Sequence, residues 1–124
     1  MNKHKKKKVV LVVDDSLVVV ERMIPMLQNH RNVDFVVHAG SYGEALAVLD
    51  ELKPDCILLD IHLPDQSGLE LLQLVREKYD HILVFIMTNE ASEQYRSVCR
   101  KLGAARFFDK SMDFERIPEA LEAA

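Results

Sequence analysis

Three stretches of this chain are apolar at every position: "VVLVV" (9–13), "CILL" (56–59) and "ILVFIM" (82–87). A strand with one wet face alternates polar and apolar side chains, so unbroken apolar strands require cover on both faces. Two further runs, "VDFVV" (33–37) and "ARFF" (105–108), bring the set to five. Between them the pattern changes to a helical period. In "SYGEALAVLDELK", Ala45, Leu46, Leu49 and Leu52 form one stripe, while Glu44, Asp50 and Glu51 face water. In "SGLELLQLVREKY", Leu71, Leu72, Val75 and Tyr79 repeat the arrangement. Strand and helix alternate five times, which predicts an α/β fold: a doubly wound five-stranded parallel sheet with helices on both faces.

The boundaries of the helices are marked. Ser16, Ser41, Ser67 and Ser92 stand where an N-cap oxygen is needed, and Gly103 after "RKL" stands where a helix closes. Pro25 falls within the first helical pattern and removes one of its hydrogen bonds. Pro118 interrupts the last segment, so the final helix is expected to bend there or to begin there. At 124 residues, with 48% hydrophobic and 29% charged, the chain has material for one packed core. The expected organisation is a basic leader over 1–8 and a single domain over 9–124. No apolar run approaches the roughly 20 residues of a membrane helix, and the start lacks the apolar core of a secretory signal. Cytoplasmic placement is the expectation. Cys56 and Cys99 lack CxxC spacing and read as buried, reduced thiols.

The charge is divided unevenly. The net is −4, but Lys3, Lys5, Lys6, Lys7 and Lys8 all lie in the leader. Beyond them 11 basic residues face 20 acidic ones, a balance that argues against direct nucleic-acid binding by the body. The lysine run is expected to be solvated and to blunt the entry to the first strand.

The strand ends carry the chemistry. The first run leads into Asp14 and Asp15, the third into Asp60, the fourth into Thr88 and the fifth into Asp109 and Lys110. In a parallel sheet these ends share one edge, where open α/β sheets bind ligands near the reversal of strand order. Each residue alone has a plain structural reading: Asp15 as a helix cap, Asp109 as a surface acid, Thr88 as a loop cap. Together, converging carboxylates repel unless a cation joins them, and an all-oxygen set suits Mg²⁺ or Mn²⁺. A lysine and a hydroxyl beside such a cation favour a phosphoryl group, and a carboxylate there can attack phosphorus to give an aspartyl-phosphate.

Four segments, "VDDS" (13–16), "LLDIHLPDQSG" (58–68), "IMTNE" (86–90) and "GAARFFDKS" (103–111), occur in an order and spacing that resemble the receiver domains of bacterial response regulators. The resemblance covers nearly the whole chain. It implies a CheY-like, flavodoxin-type strand order, 2-1-3-4-5, and a phosphorylation-dependent signalling switch rather than an enzyme. By it, Asp60 is the phosphoacceptor, and Asp14, Asp15, Asp60 and the backbone carbonyl of His62 hold Mg²⁺. Thr88 and Lys110 contact the phosphoryl group. Phe107 is the aromatic that changes rotamer when Thr88 moves, and the change is read on the face of helix four, strand five and helix five. The implied partners are a sensor histidine kinase or phosphotransfer protein and a downstream protein target. Leu63, Pro64 and Gly68 match the family's loop after the acceptor.

Four positions depart from the commonest pattern. Ser111 follows the lysine where proline is frequent, and Asn89 replaces a small residue after Thr88, which implies narrowed access to the acceptor and a part in tuning. His62 and Glu90 occupy two variable positions that tune phosphate lifetime, which implies an altered autodephosphorylation rate. With the sequence ending at Ala124, a stand-alone module acting through another protein is expected, a receiver cut from a longer regulator being the alternative. A phosphorylation-independent interaction module is the second reading, opposed by the intact acidic set and lysine. An aspartate-dependent phosphatase would want an acid where His62 stands, and a flavin module would want a hydroxyl-rich first loop.

Overall fold

The structure, a computed structural model, describes residues 7–123. Most of the expected leader, residues 1–6, lies outside the described residues. Five strands, β1 (Lys8–Val13), β2 (Val33–Ala39), β3 (Cys56–Asp60), β4 (Leu83–Thr88) and β5 (Arg106–Asp109), alternate with α1 (Leu17–Gln28), α2 (Tyr42–Glu51), α3 (Gly68–Lys78), α4 (Glu93–Lys101) and α5 (Ile117–Ala123). All strand pairs are parallel and the order is β2-β1-β3-β4-β5. β1 begins at Lys8, one residue before the expected boundary.

The unbroken apolar runs have the predicted cause. Val10, Val12, Cys56, Leu58, Phe85 and Met87 point to the side covered by α1 and α5, against Met23, Leu27, Ile117 and Leu121. Leu11, Val13, Ile57, Leu59, Val84 and Ile86 point to the opposite side, against Ala45, Leu49, Leu71, Leu72, Val75 and Cys99 of α2, α3 and α4. Every residue of β3 is buried. By contrast β2, at one edge, is buried only at its two ends. Cys56 and Cys99 are both free and buried, and burial pushes the Cys56 thiol far above its usual range.

The helix starts follow the sequence closely. Ser16, Ser41, Ser67 and Ser92 each accept a backbone N–H of the first turn, from Val19, Glu44, Leu69 and Tyr95 respectively. Gly103 takes a φ of 101° after α4, a conformation that side chains disfavour. Pro25 lies inside α1. Ahead of Pro118 the chain makes a 3-10 turn (Phe114–Arg116), and α5 starts at Ile117, so the proline sits in the first turn, where its missing N–H has no partner to lose.

Two contacts fix the loop that leaves β3. Gly68 opens α3 pressed against the end of β3. A side-chain carbon there would approach Ile61 Cα to 2.9 Å and collide with the Asp60 carbonyl oxygen. Its N–H donates to the Ile61 carbonyl at 2.7 Å. Further along the loop, Asp65 accepts the N–H groups of Tyr42 and Gly43 at 2.9 and 3.0 Å, capping α2 from 22 residues away. Those two hydrogen bonds hold the Asp65 carboxyl below the usual carboxylate range.

Candidate functional site

The parallel register brings the chemistry to one edge. Val13 is level with Leu59, so Asp14 follows β1 at the height where Asp60 ends β3. Asp60 is level with Met87 and Thr88 with Asp109; beyond that pair the Lys110 N–H donates to the Thr88 carbonyl at 3.0 Å. β2 and β3 lie on opposite sides of β1, so this edge is the reversal point of the sheet. The cleft that forms there spans residues almost a hundred positions apart.

Carboxylate oxygens of Asp14, Asp15 and Asp60 lie within 4.8 Å of one another. Asp14 is wholly buried, Asp60 is 6% exposed and Asp15 is open to solvent. The Lys110 ammonium reaches into the cluster, 2.6 Å from Asp14 Oδ2 and 3.0 Å from Asp60 Oδ2. Asp14 Oδ1 accepts the Ser16 N–H at 2.8 Å, and Asp60 Oδ1 accepts the His62 N–H at 3.2 Å. Burial pushes the Asp60 carboxyl above the usual range, with the Asp14 charge adding to that effect and Lys110 opposing it. Burial also acts to lower the Lys110 pKa, but its two carboxylate neighbours outweigh that and hold the ammonium above its ordinary value.

The donor set fits a divalent cation. One lysine offsets one of three carboxylates, leaving two negative charges to be balanced. Asp14 Oδ2 is buried with the ammonium as its close partner, and that same ammonium is shared with Asp60. One ammonium cannot balance all three acids, and buried carboxylate charge left over is expensive unless a further cation joins them. The oxygen-only chemistry matches a hard cation of the Mg²⁺ kind.

Thr88 is wholly buried, and its hydroxyl oxygen accepts the Glu90 N–H at 3.0 Å. Phe107 is half-buried on β5, level with Ile86 of β4, and the Arg96 guanidinium lies 4.7 Å from its ring centroid. His62 Nε2 and Glu90 Oε1 are 2.8 Å apart, so the side chains of the loops after β3 and β4 join above the site. The His62 ring also meets Tyr95 edge-on at 6.2 Å. Asn89 is exposed beside this bridge. Asp109 stays outside the cluster; its carboxylate accepts the N–H and hydroxyl of Ser111 at 2.8 and 2.6 Å. Among the described residues all peptide bonds are trans, including that between Lys110 and Ser111.

One contributor escaped sequence reasoning. β2 ends without a charged residue, yet its His38 Nε2 lies 2.9 Å from the Asp14 carbonyl oxygen, positioned to donate to it. It steadies the backbone that carries the buried acid. A lone histidine in an edge strand carries no local signal of this role.

A family profile described as the response regulator receiver domain matches residues 10–122. The chemotaxis protein CheY of Listeria monocytogenes is 35% identical over 115 residues, which are 92% of this chain and 95% of that protein. The transcriptional regulatory protein YdfI of Bacillus subtilis is 32% identical over 116 residues, 93% of this chain and 54% of that protein. For the sensory transduction protein LytT of Enterococcus faecalis the identity is 32% over 117 residues, 93% of this chain and 47% of that protein. The chain thus spans about half the length of the last two. Among solved structures, the signal receiver domain of NarL from Mycobacterium tuberculosis superposes with a TM-score of 0.85 at 25% identity, covering 96% of each chain.

Proposed function

The chain belongs to the response regulator receiver domain family, and from that premise we propose that it is a phosphorylation-dependent switch of a two-component relay, accepting a phosphoryl group on Asp60. One observation carries the proposal: a buried carboxylate at the end of the central strand, 3.0 Å from a lysine and within 4.8 Å of two further acids.

An Asp60 oxygen attacks the phosphorus of a phosphohistidine or a small acyl phosphate. The bond from phosphorus to the donor breaks, and its electron pair leaves with the imidazole or carboxylate. Asp14, Asp15, Asp60 and the backbone carbonyl of His62 would hold Mg²⁺, with Mn²⁺ as substitute. When bound, the cation neutralises charge on the phosphoryl oxygens. Lys110, already tethered between Asp14 and Asp60, pairs with one phosphoryl oxygen, and the Thr88 hydroxyl donates to another. Because Thr88 now accepts the Glu90 N–H, its move toward the phosphoryl group alters the loop after β4. Phe107 on the adjacent strand follows, which shifts the population of two arrangements of the α4–β5–α5 face. The chain signals through protein partners: a histidine kinase or phosphotransfer protein upstream and a target protein on that face, in the cytoplasm and without direct nucleic-acid contact. Among the described residues no helix is long and apolar enough to cross a membrane.

The His62–Glu90 bridge joins the loops after β3 and β4, next to exposed Asn89, and on this reading it governs the access of water to the acyl phosphate. His62→Asn therefore changes the autodephosphorylation rate, measured from the decay of the phosphorylated mass; equal rates in variant and parent exclude a role for this histidine. The acceptor itself is tested by incubation with a small acyl phosphate, with and without Mg²⁺, followed by intact-mass measurement. The expected result is a Mg²⁺-dependent gain of one phosphoryl group that Asp60→Asn abolishes. No gain from either the small donor or a cognate kinase, with the fold intact, favours an interaction module that works without phosphorylation.

A further inference from the structure

On the side of the sheet edge formed by β5, the chain departs from its acidic character. α4, β5, the 3-10 turn and α5 enclose a groove of about 660 Å³, lined by Arg96, Arg106 and Arg116 around Phe107, with Asp113 and Glu119 on the α5 side. A second depression of about 230 Å³ shares Arg96, Arg106 and Phe107 with it and adds Arg100. Four of the chain's seven arginines thus line two adjoining cavities of a chain whose net charge is −4.

The acids near this groove are mostly engaged. Asp113 accepts the Asp109 N–H at 3.1 Å and faces Arg116 at 3.8 Å, and the Asp109 carboxylate is held by Ser111. Glu122 faces Arg31 at 3.4 Å, and Glu93 lies 4.0 Å from Arg96 while 92% exposed. Glu119 is the acid that remains in the lining. Two of the four arginines are in the opposite condition. Arg106 and Arg100 are exposed and have no hydrogen-bond or ion-pair partner among the described residues. The Arg96 guanidinium lies over the Phe107 ring, 4.7 Å from its centroid, and both residues belong to the lining common to the two cavities.

We infer that this groove and the depression beside it seat an acidic segment of a partner protein, its carboxylates held by Arg96, Arg100 and Arg106 and an apolar side chain lodged against Phe107. Guanidinium forks match carboxylates in pairs, and exposed arginines without partners offer that match at little cost in desolvation. A nucleic acid is a poorer fit, because the acidic body around the patch repels a polyanion. The inference deepens the proposed output face by giving its partner a chemistry. It also links partner to switch: displacement of the Phe107 ring re-aims the Arg96 fork that rests on it.

The test is fluorescence anisotropy of the full chain against a labelled peptide in which glutamate and aspartate alternate with leucine. A lysine–leucine peptide and a short DNA duplex serve as comparators, each with and without beryllofluoride and Mg²⁺. Binding of the acidic peptide is expected to be about tenfold tighter than of either comparator, to weaken with salt, and to fall about tenfold in the doubly substituted Arg100→Glu, Arg106→Glu protein. Both side chains are exposed, so thermal unfolding of that variant is expected to match the parent. Undiminished binding in the variant, or equal or tighter binding of a comparator, overturns the inference. Intact-mass phosphorylation of the same preparations separates the two readings. A phosphorylatable protein indifferent to the acidic peptide rejects the groove alone, and a peptide-binding protein that takes no phosphoryl group rejects the switch alone.

Discussion

The acidic pocket and the arginine groove lie on neighbouring stretches of one sheet, and both gather charge, but they hold it in opposite ways. In the pocket, Asp14, Asp60 and Lys110 are buried within 3.0 Å of their partners. At the groove and the depression beside it, Arg100 and Arg106 stand in solvent without side-chain partners among the described residues. A buried charge is tolerated only while its neighbours balance it, so a change in the pocket is felt by the fold as well as by the chemistry. An exposed charge interacts weakly with its own chain and is available to another molecule. The difference separates a place where charge is consumed internally from one where it is kept for association.

The largest effect on stability is expected from Lys110→Met. Removing the ammonium leaves Asp14 and Asp60 facing each other in a buried site, which costs about 3 kcal/mol. Thermal unfolding in metal-free buffer shows the loss, and added Mg²⁺ restores much of it by taking over the neutralisation. A variant that melts like the parent in the absence of cation breaks the contrast between the two regions.

Gly68→Ala attacks the pocket through its wall. The added carbon collides with backbone at the end of β3, and the end of the strand or the start of α3 must shift, at about 2 kcal/mol. Because that strand end carries Asp60, phosphorylation by a small donor is expected to slow alongside the loss in melting temperature. A normal phosphorylation rate in a destabilised variant separates wall from site.

The smallest expected effect is that of Asp65→Asn, on an exposed loop. The folded Asp65 carboxyl lies below its unfolded value, so its contribution to stability is present above the unfolded carboxylate range, near pH 4, and is lost as pH falls through the lower folded value. The melting difference between parent and Asn variant is therefore full at neutral pH and closes in acid. A difference that persists unchanged as pH falls through and well below the unfolded carboxylate range removes the α2 cap as its cause.

Much of this was legible in advance, for reasons local to the chain. The apolar runs marked five strands because each is covered on both faces or borders such a strand. Their ends nevertheless shifted by one or two residues: β2 continues through His38 and Ala39, and β5 runs from Arg106 to Asp109 rather than starting at Ala105. Four serine caps and Gly103 were readable because capping acts within one turn. The cluster of Asp14, Asp15 and Asp60 followed from one rule, that parallel strands end at a common edge.

The remaining contacts depend on how far apart two distant segments come to rest. Nothing in the sequence near Asp65 announces that it caps α2, nor near His38 that it reaches the Asp14 backbone. The bridge from His62 to Glu90 and the stacking of Arg96 on Phe107 likewise join positions that only neighbouring loops and strands bring together. Periodicity, caps and strand ends are properties of a few consecutive residues, so the sequence by itself determined the elements, their order of burial and the acids delivered to one edge. Which side chain completes which charge or hydrogen bond varies over a few ångströms, and that distance is set when the helices pack on the sheet. Tertiary structure alone therefore decided that Lys110 sits between Asp14 and Asp60, and that the arginines of α4 and β5 line one groove.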